Sequence, residues 1–397
     1  MNMTPVKPAD TAVSQRDIRL DFYRGLAMFI ILMAHIPGNF LTLWIPARFG
    51  FSDATEIFVF CSGMASAIAF GKAFKTRGWL MGTARVAFRV WQVYWAHIAV
   101  FLVILTFVSA LNHSGTYSKD YVGNLNLWPI VNNTIPNLIG LMTLTYVPNY
   151  FDVLPMYVVI LAMMPIVVGL KNLHGFFALA FVVLVWIGAN TNMLWMPAEP
   201  WTNREWFFNP FGWQLVFFTG FALMAGWVPA PPLNKWLAIL AIVVVISTVP
   251  FAYFRLLNAY PELKSISQDI GFLTKKTDFG LLRYVHFLAL AYLAWAVAGT
   301  GGRRLRPTED GVFSRFWKGL LRVILKVGQQ SLAVFVFSMA AARFIGFGLD
   351  QTGRSAFNVW SANLIGFASL VAVAYTAAWF KSHPWRARPE PKPLSAQ

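Results

Sequence analysis

Apolar residues run along this chain in long unbroken blocks. A soluble core has no need of such blocks, whereas a bilayer demands about 20 mostly apolar residues per spanning helix. Every backbone polar group inside lipid must also find its partner within the same segment. Ten blocks qualify, at residues 25–43, 54–71, 88–111, 151–170, 174–193, 211–228, 234–254, 281–300, 329–348 and 358–380. They predict an all-α polytopic membrane protein of about ten transmembrane helices, with N- and C-termini cytoplasmic. An eleventh stretch, 134–147, is short and broken by Pro136 and Pro148. It reads as an interfacial or re-entrant piece in the loop between the third and fourth spans.

Composition supports that class, since 57% of residues are hydrophobic and only 12% are charged. The net charge of +16 suggests nucleic acid until the basic residues are sorted by loop. With the N-terminus inside, 22 of the 32 fall on the cytoplasmic side, including Lys72, Lys75, Arg77, Arg85 and Arg89, then Arg303 to Lys326, then Lys381. That is the positive-inside asymmetry, so the partner is a lipid bilayer and no nucleic acid is implied. The chain divides into a cytoplasmic tail (1–20), a transmembrane domain (21–380) and a second cytoplasmic tail (381–397), Pro-rich from His383. The first 24 residues lack the apolar core of a signal peptide. Many tryptophans near block ends fit interfacial anchoring. The single Cys61 excludes an intrachain disulfide and any cysteine-built metal site. No phosphate loop, zinc signature or nucleophile elbow is present. No metal site is expected.

Ionisable groups inside spans are expensive and therefore informative. The first span carries His35, and Arg24 precedes it with ten residues between. At about 100° and 1.5 Å per residue, the two share one helix face about 16 Å apart. This places Arg24 at the cytoplasmic surface and His35 about halfway through the hydrocarbon. A neutral imidazole is suited to accept a proton near neutral pH, which makes His35 a candidate general base. Interhelical packing is the competing role for His35, and a topological one for Arg24. The second span opens with Ser52-Asp53-Ala-Thr55-Glu56, an N-cap pattern with a carboxylate one turn deeper. The fourth opens with Asp152, then Pro155 and Tyr157. Asp53, Glu56 or Asp152 could orient His35, with Glu56 favoured. His286 and Arg343 should face the interior or a cavity. Arg283 marks the end of the eighth span, His97 reads as packing, and Ser62-Gly63 as close helix contact.

The Arg24-to-His35 spacing resembles the acyltransferase-3 superfamily, and the closer likeness is to the OpgC family. The likeness rests on Arg19-Leu-Asp21-Phe-Tyr-Arg24 leading to His35-Ile-Pro37-Gly-Asn39, and on Ser52 to Gly63. Tyr150-Phe-Asp152-Val-Leu-Pro155-Met-Tyr157 and Gln329-Gln-Ser331-Leu-Ala-Val-Phe335 extend it, so that it covers about residues 15–380. It implies O-acylation of extracytoplasmic glycans at the inner membrane, here succinylation of osmoregulated periplasmic glucan from a cytoplasmic acyl-CoA. His35 then takes the role of catalytic base and Glu56 and Asp152 assist it. Arg24 contacts acyl-CoA, and Asp21, Asn39, Asp53, Tyr157, His286 and Arg343 join substrate binding. Succinyl-CoA is a donor substrate, with no cofactor bound permanently. Transfer is direct, because Cys61 in an apolar helix behaves as a small hydrophobe rather than an acyl carrier. The alternatives are a secondary transporter using the same polar residues, or an O-acyltransferase for another envelope glycan.

Overall fold

In a computed structural model, which describes residues 17–308 and 311–386, the first helix, α1 (Arg19–His35), stops at the histidine. The apolar block had predicted a span over 25–43. Two effects shift it. Pro37 disfavours helical backbone at Ile36, which turns extended, so His35 stands at the end of α1 rather than midway along a span. At the other end the helix takes in Asp21 and Arg24 because both find partners: Gln329 donates to Asp21 at 3.4 Å, and Arg24 donates to the Ser331 hydroxyl. The expected tail 1–20 thus ends in helix, and residues 1–16 and 387–397 lie outside the described residues.

The blocks 54–71 and 88–111 fall in α2 (Ala54–His113), two helical arms that meet at a kink at Gly78. The link between the blocks is helical except at Gly78 (φ 80°, ψ 173°), a conformation open essentially only to glycine. The N-cap read from the sequence is present as a full capping box. Asp53 accepts from the Thr55 N–H at 2.7 Å, and Glu56 accepts from the Asp53 N–H at 2.8 Å. The broken stretch 134–147 holds one short helix, α4 (Thr134–Thr143), and a shorter one, α3 (Trp128–Asn132), precedes it.

The remaining blocks become α5 (Val153–Leu173), α6 (Gly175–Asn190), α7 (Pro210–Met224) and α8 (Lys235–Ala252). Three short helices follow, α9 (Phe254–Ala259), α10 (Pro261–Asp269) and α11 (Gly271–Thr274), before α12 (Leu281–Ala298). Helix α13 (Val312–Gln329) precedes the last pair, α14 (Ser331–Thr352) and α15 (Ala356–Lys381). The fold is all-α and polytopic. Among the described residues six helices are long and apolar enough to cross a membrane, namely α2, α5, α8, α12, α14 and α15, and α6 and α7 are apolar but shorter.

Helix α13 was not foreseen, because its basic residues were assigned to a cytoplasmic loop. It is amphipathic, and Leu321, Ile324, Val327 and Gly328 bury one face against α1. The backbones approach so closely that a side chain at Gly25 would strike the Ile324 carbonyl. The core runs through α1, α2, α5, α7 and α14, with α12 joining it at Phe287 and α8 largely outside it. The close contact expected from Ser62-Gly63 is with α7, where Gly63 abuts the Phe217 backbone.

Candidate functional site

Two cavities lie along α1, one at each end. The first, about 490 Å3, is lined by His35 together with Asp53, Asn149, Tyr150, Asp152 and Lys276. His35 Nδ1 lies 2.7 Å from the Ile31 carbonyl. A carbonyl can only accept, so Nδ1 carries the ring proton and Nε2 is left as the basic nitrogen. The orienting group is therefore a backbone carbonyl one turn back, where a carboxylate had been expected. Tyr150 packs edge-on against the imidazole, ring centroids 5.2 Å apart, and its own hydroxyl donates to the Met339 carbonyl at 2.7 Å. Its φ of 87° is strained for a bulky side chain, and such strain collects where the surroundings over-determine a position.

The carboxylates near this cavity are matched. Lys276 donates to Asp53. Burial would raise the Asp53 carboxyl, yet the Lys276 ammonium and the hydrogen bonds around the carboxylate, including the one from the Thr55 N–H, together outweigh that and hold it well below the usual carboxylate range. Asp152 is buried beside the cavity and accepts from the Phe207 N–H at 3.2 Å. Glu56 turns away from it. It is fully buried, accepts from Arg283 at 2.7 Å, and does not line the His35 cavity.

The second cavity begins at Arg24. It comprises two adjoining pockets of about 340 and 680 Å3 whose linings share Arg24, Arg89, Gln92 and Ser331. Arg85 and Tyr157 line one pocket, Lys381 and Gln330 the other. Among the described residues no ion pair holds Arg24, Arg85, Arg89 or Lys381, and the buried Nε of Arg24 has no hydrogen-bond partner. Four unmatched cations around one opening make a site for a polyanion. Phe58 lines both the Arg24 and the His35 cavities. It stacks on Phe335 with centroids 5.3 Å apart and planes 9° from parallel, so this aromatic pair is the wall between them.

The other sequence candidates lie elsewhere. Asn39 is buried and donates to Asn363 at 3.0 Å, tying the chain after α1 to α15. Asp21 sits at the α1–α13 contact. His286 Nδ1 meets the Ser52 hydroxyl at 2.7 Å and so braces the segment ahead of α2. The Arg343 guanidinium stacks over the Tyr150 ring, 3.7 Å from its centroid, and faces a neighbouring pocket. Cys61 is buried and lines none of these cavities. Sequence reasoning missed Lys276, which sits in a loop among thinly spread charges, and took Arg283 only as a helix-end marker. The Asp53 and Glu56 carboxylates were the available signal that cations must come to meet them.

The family model described as OpgC protein matches residues 16–382. No curated protein and no solved structure matches the chain.

Proposed function

Because the chain belongs to the OpgC family, whose activity is of the glucan-modifying acyltransferase type, we propose that it transfers an acyl group from acyl-CoA to a glucan hydroxyl, with His35 as general base. The observation that carries this reading is the pair of unlike cavities along α1, one cationic at Arg24 and one holding the imidazole, with Phe58 in the lining of both. A CoA donor is a polyanion with a slender thioester arm, and the two cavities suit its two ends.

The donor phosphates lie against Arg24, Arg85, Arg89 and Lys381 at the cytoplasmic face, and the thioester passes Phe58. The sugar enters the His35 cavity from the periplasm. Nε2 removes the hydroxyl proton, the oxygen attacks the thioester carbonyl, and the C–S bond breaks. The imidazolium then returns its proton to the departing CoA thiolate, so His35 ends as it began. By the family likeness the acyl group is succinyl, the membrane is the bacterial inner membrane, and both termini are cytoplasmic.

Purified protein with succinyl-CoA and gluco-oligosaccharides tests the reading. Free thiol should appear only when glucan is present, and mass spectrometry should find succinyl esters on the sugar. Solute uptake without thioester consumption would instead establish a transporter.

A further inference from the structure

Beyond the Tyr150–Arg343 stack from the His35 cavity lies a smaller pocket of about 170 Å3. Pro37, two residues after the catalytic candidate, forms part of its wall. Arg343 forms another part while stacking on Tyr150, and Tyr150 in turn touches the His35 ring. The two pockets thus lie at the same end of α1, with the stacked Arg343 and Tyr150 side chains between them.

The lining of this pocket mixes aromatic and aliphatic side chains with polar and charged ones. Phe107 and Phe347 meet edge to face with centroids 5.8 Å apart, and Lys119, Asn124 and Asp350 share the lining with them. Asp350 is already matched, accepting from Lys119 at 2.7 Å and from Arg354 at 2.5 Å. The polar lining therefore offers fixed donors and acceptors with its carboxylate compensated, and Arg343, which no ion pair holds among the described residues, lies over the Tyr150 ring. A hexose ring has the complementary build: a C–H face that suits aromatic side chains, and hydroxyls around its edge that both donate and accept.

We propose that this pocket is a second sugar subsite, which takes the neutral hexose unit next to the one whose hydroxyl reaches His35. The proposal rests on the acceptor being a glucan. It explains why a chain of sugars, rather than a single one, is the substrate: the neighbouring unit registers the acceptor against the imidazole.

The test is calorimetric binding of gluco-oligosaccharides and of free glucose to purified protein, wild type against Phe347→Ala and Asn124→Ala. Neither residue lines the His35 cavity or the Arg24 opening. Loss of one aromatic contact should raise the oligosaccharide Kd by about tenfold in Phe347→Ala. Loss of one neutral hydrogen bond should raise it by roughly two- to tenfold in Asn124→Ala. Free glucose should bind both variants as it binds the wild type. Asn124 is exposed, so its variant keeps the test open if Phe347→Ala fails to fold. Oligosaccharide binding unchanged in folded Asn124→Ala and Phe347→Ala, or glucose weakened to the same degree, overturns the subsite while leaving acyl transfer intact. A wild type that neither binds nor acylates glucan overturns the acceptor assignment and the subsite together.

Discussion

Around His35 the carboxylates are answered: Asp53 meets Lys276, Glu56 meets Arg283, and Asp152 takes a backbone N–H. Around Arg24 the reverse holds, with Arg85, Arg89 and Lys381 gathered near it and no ion pair to any of them among the described residues. Burying charge is costly unless it is paired, so the first arrangement is self-sufficient and the second is incomplete. A completed network can hold an imidazole still and leave a neutral acceptor to be positioned by hydrogen bonds. An incomplete one stores binding free energy for an anion that arrives from outside. The contrast fits the proposal of chemistry at one end of α1 and donor capture at the other, and it can be broken at either end.

The largest expected effect is at His35. Replacing it with alanine should slow acyl transfer by roughly 10²–10⁴-fold, the usual contribution of a general base. Binding of acyl-CoA should be unchanged, because nothing at the Arg24 opening is touched. Normal transfer by a folded His35→Ala protein would falsify the base assignment.

The next effect separates two carboxylates. Glu56 is fully buried against Arg283, and breaking a buried pair costs about 3–5 kcal/mol. Glu56→Gln should therefore lower thermal stability sharply while the protein that remains folded keeps its kcat. Asp152 lines the His35 cavity, so Asp152→Asn should lower kcat with a smaller loss of stability. Thermal unfolding in detergent alongside initial rates decides this, and the opposite pattern would return Glu56 to the reaction.

At the other end, Arg24→Ala should raise the KM for acyl-CoA by roughly 10- to 100-fold at similar kcat, as loss of a charged hydrogen bond made equally in ground and transition states does. Added salt should raise the wild-type KM in the same direction, since exposed charges are screened over about 8–10 Å. A KM that responds to neither change would leave Arg24 a marker of topology.

Much of this was legible before any coordinates. Block length predicted the helices, and the spacing of Arg24 and His35 placed both on one face of α1. What escaped was whatever depended on partners distant in the chain. The start of α1 was misjudged because a hydropathy block cannot show that Gln329 and Ser331 will accommodate Asp21 and Arg24. Helix α13 was hidden by its own charges, which served equally well as a topology signal. Glu56 was favoured as the acid beside His35 because depth could be read from sequence and direction could not. Lys276 lies 223 residues from Asp53, beyond any local pattern.

The smallest effect concerns the wall itself. Phe58 faces both cavities and stacks nearly parallel on Phe335, so the thioester arm has to displace or pass this pair to reach His35. With the wall closed, water that fills the His35 cavity in the absence of glucan is kept from the donor. An aromatic pair of this kind is worth about 0.5–1.5 kcal/mol beyond its buried area, so Phe58→Leu should open the wall roughly two- to tenfold more often. Leucine preserves most of the packing, so the fold should survive. The signature is slow thiol release from succinyl-CoA without glucan, rising in Phe58→Leu by that factor while transfer to glucan stays near normal. Background release equal to that of the wild type would show that Phe58 does not divide the cavities. Background release that rises in Phe58→Leu but disappears in Phe58→Leu/His35→Ala would further show that the water crossing the wall is activated by the same imidazole that activates the sugar.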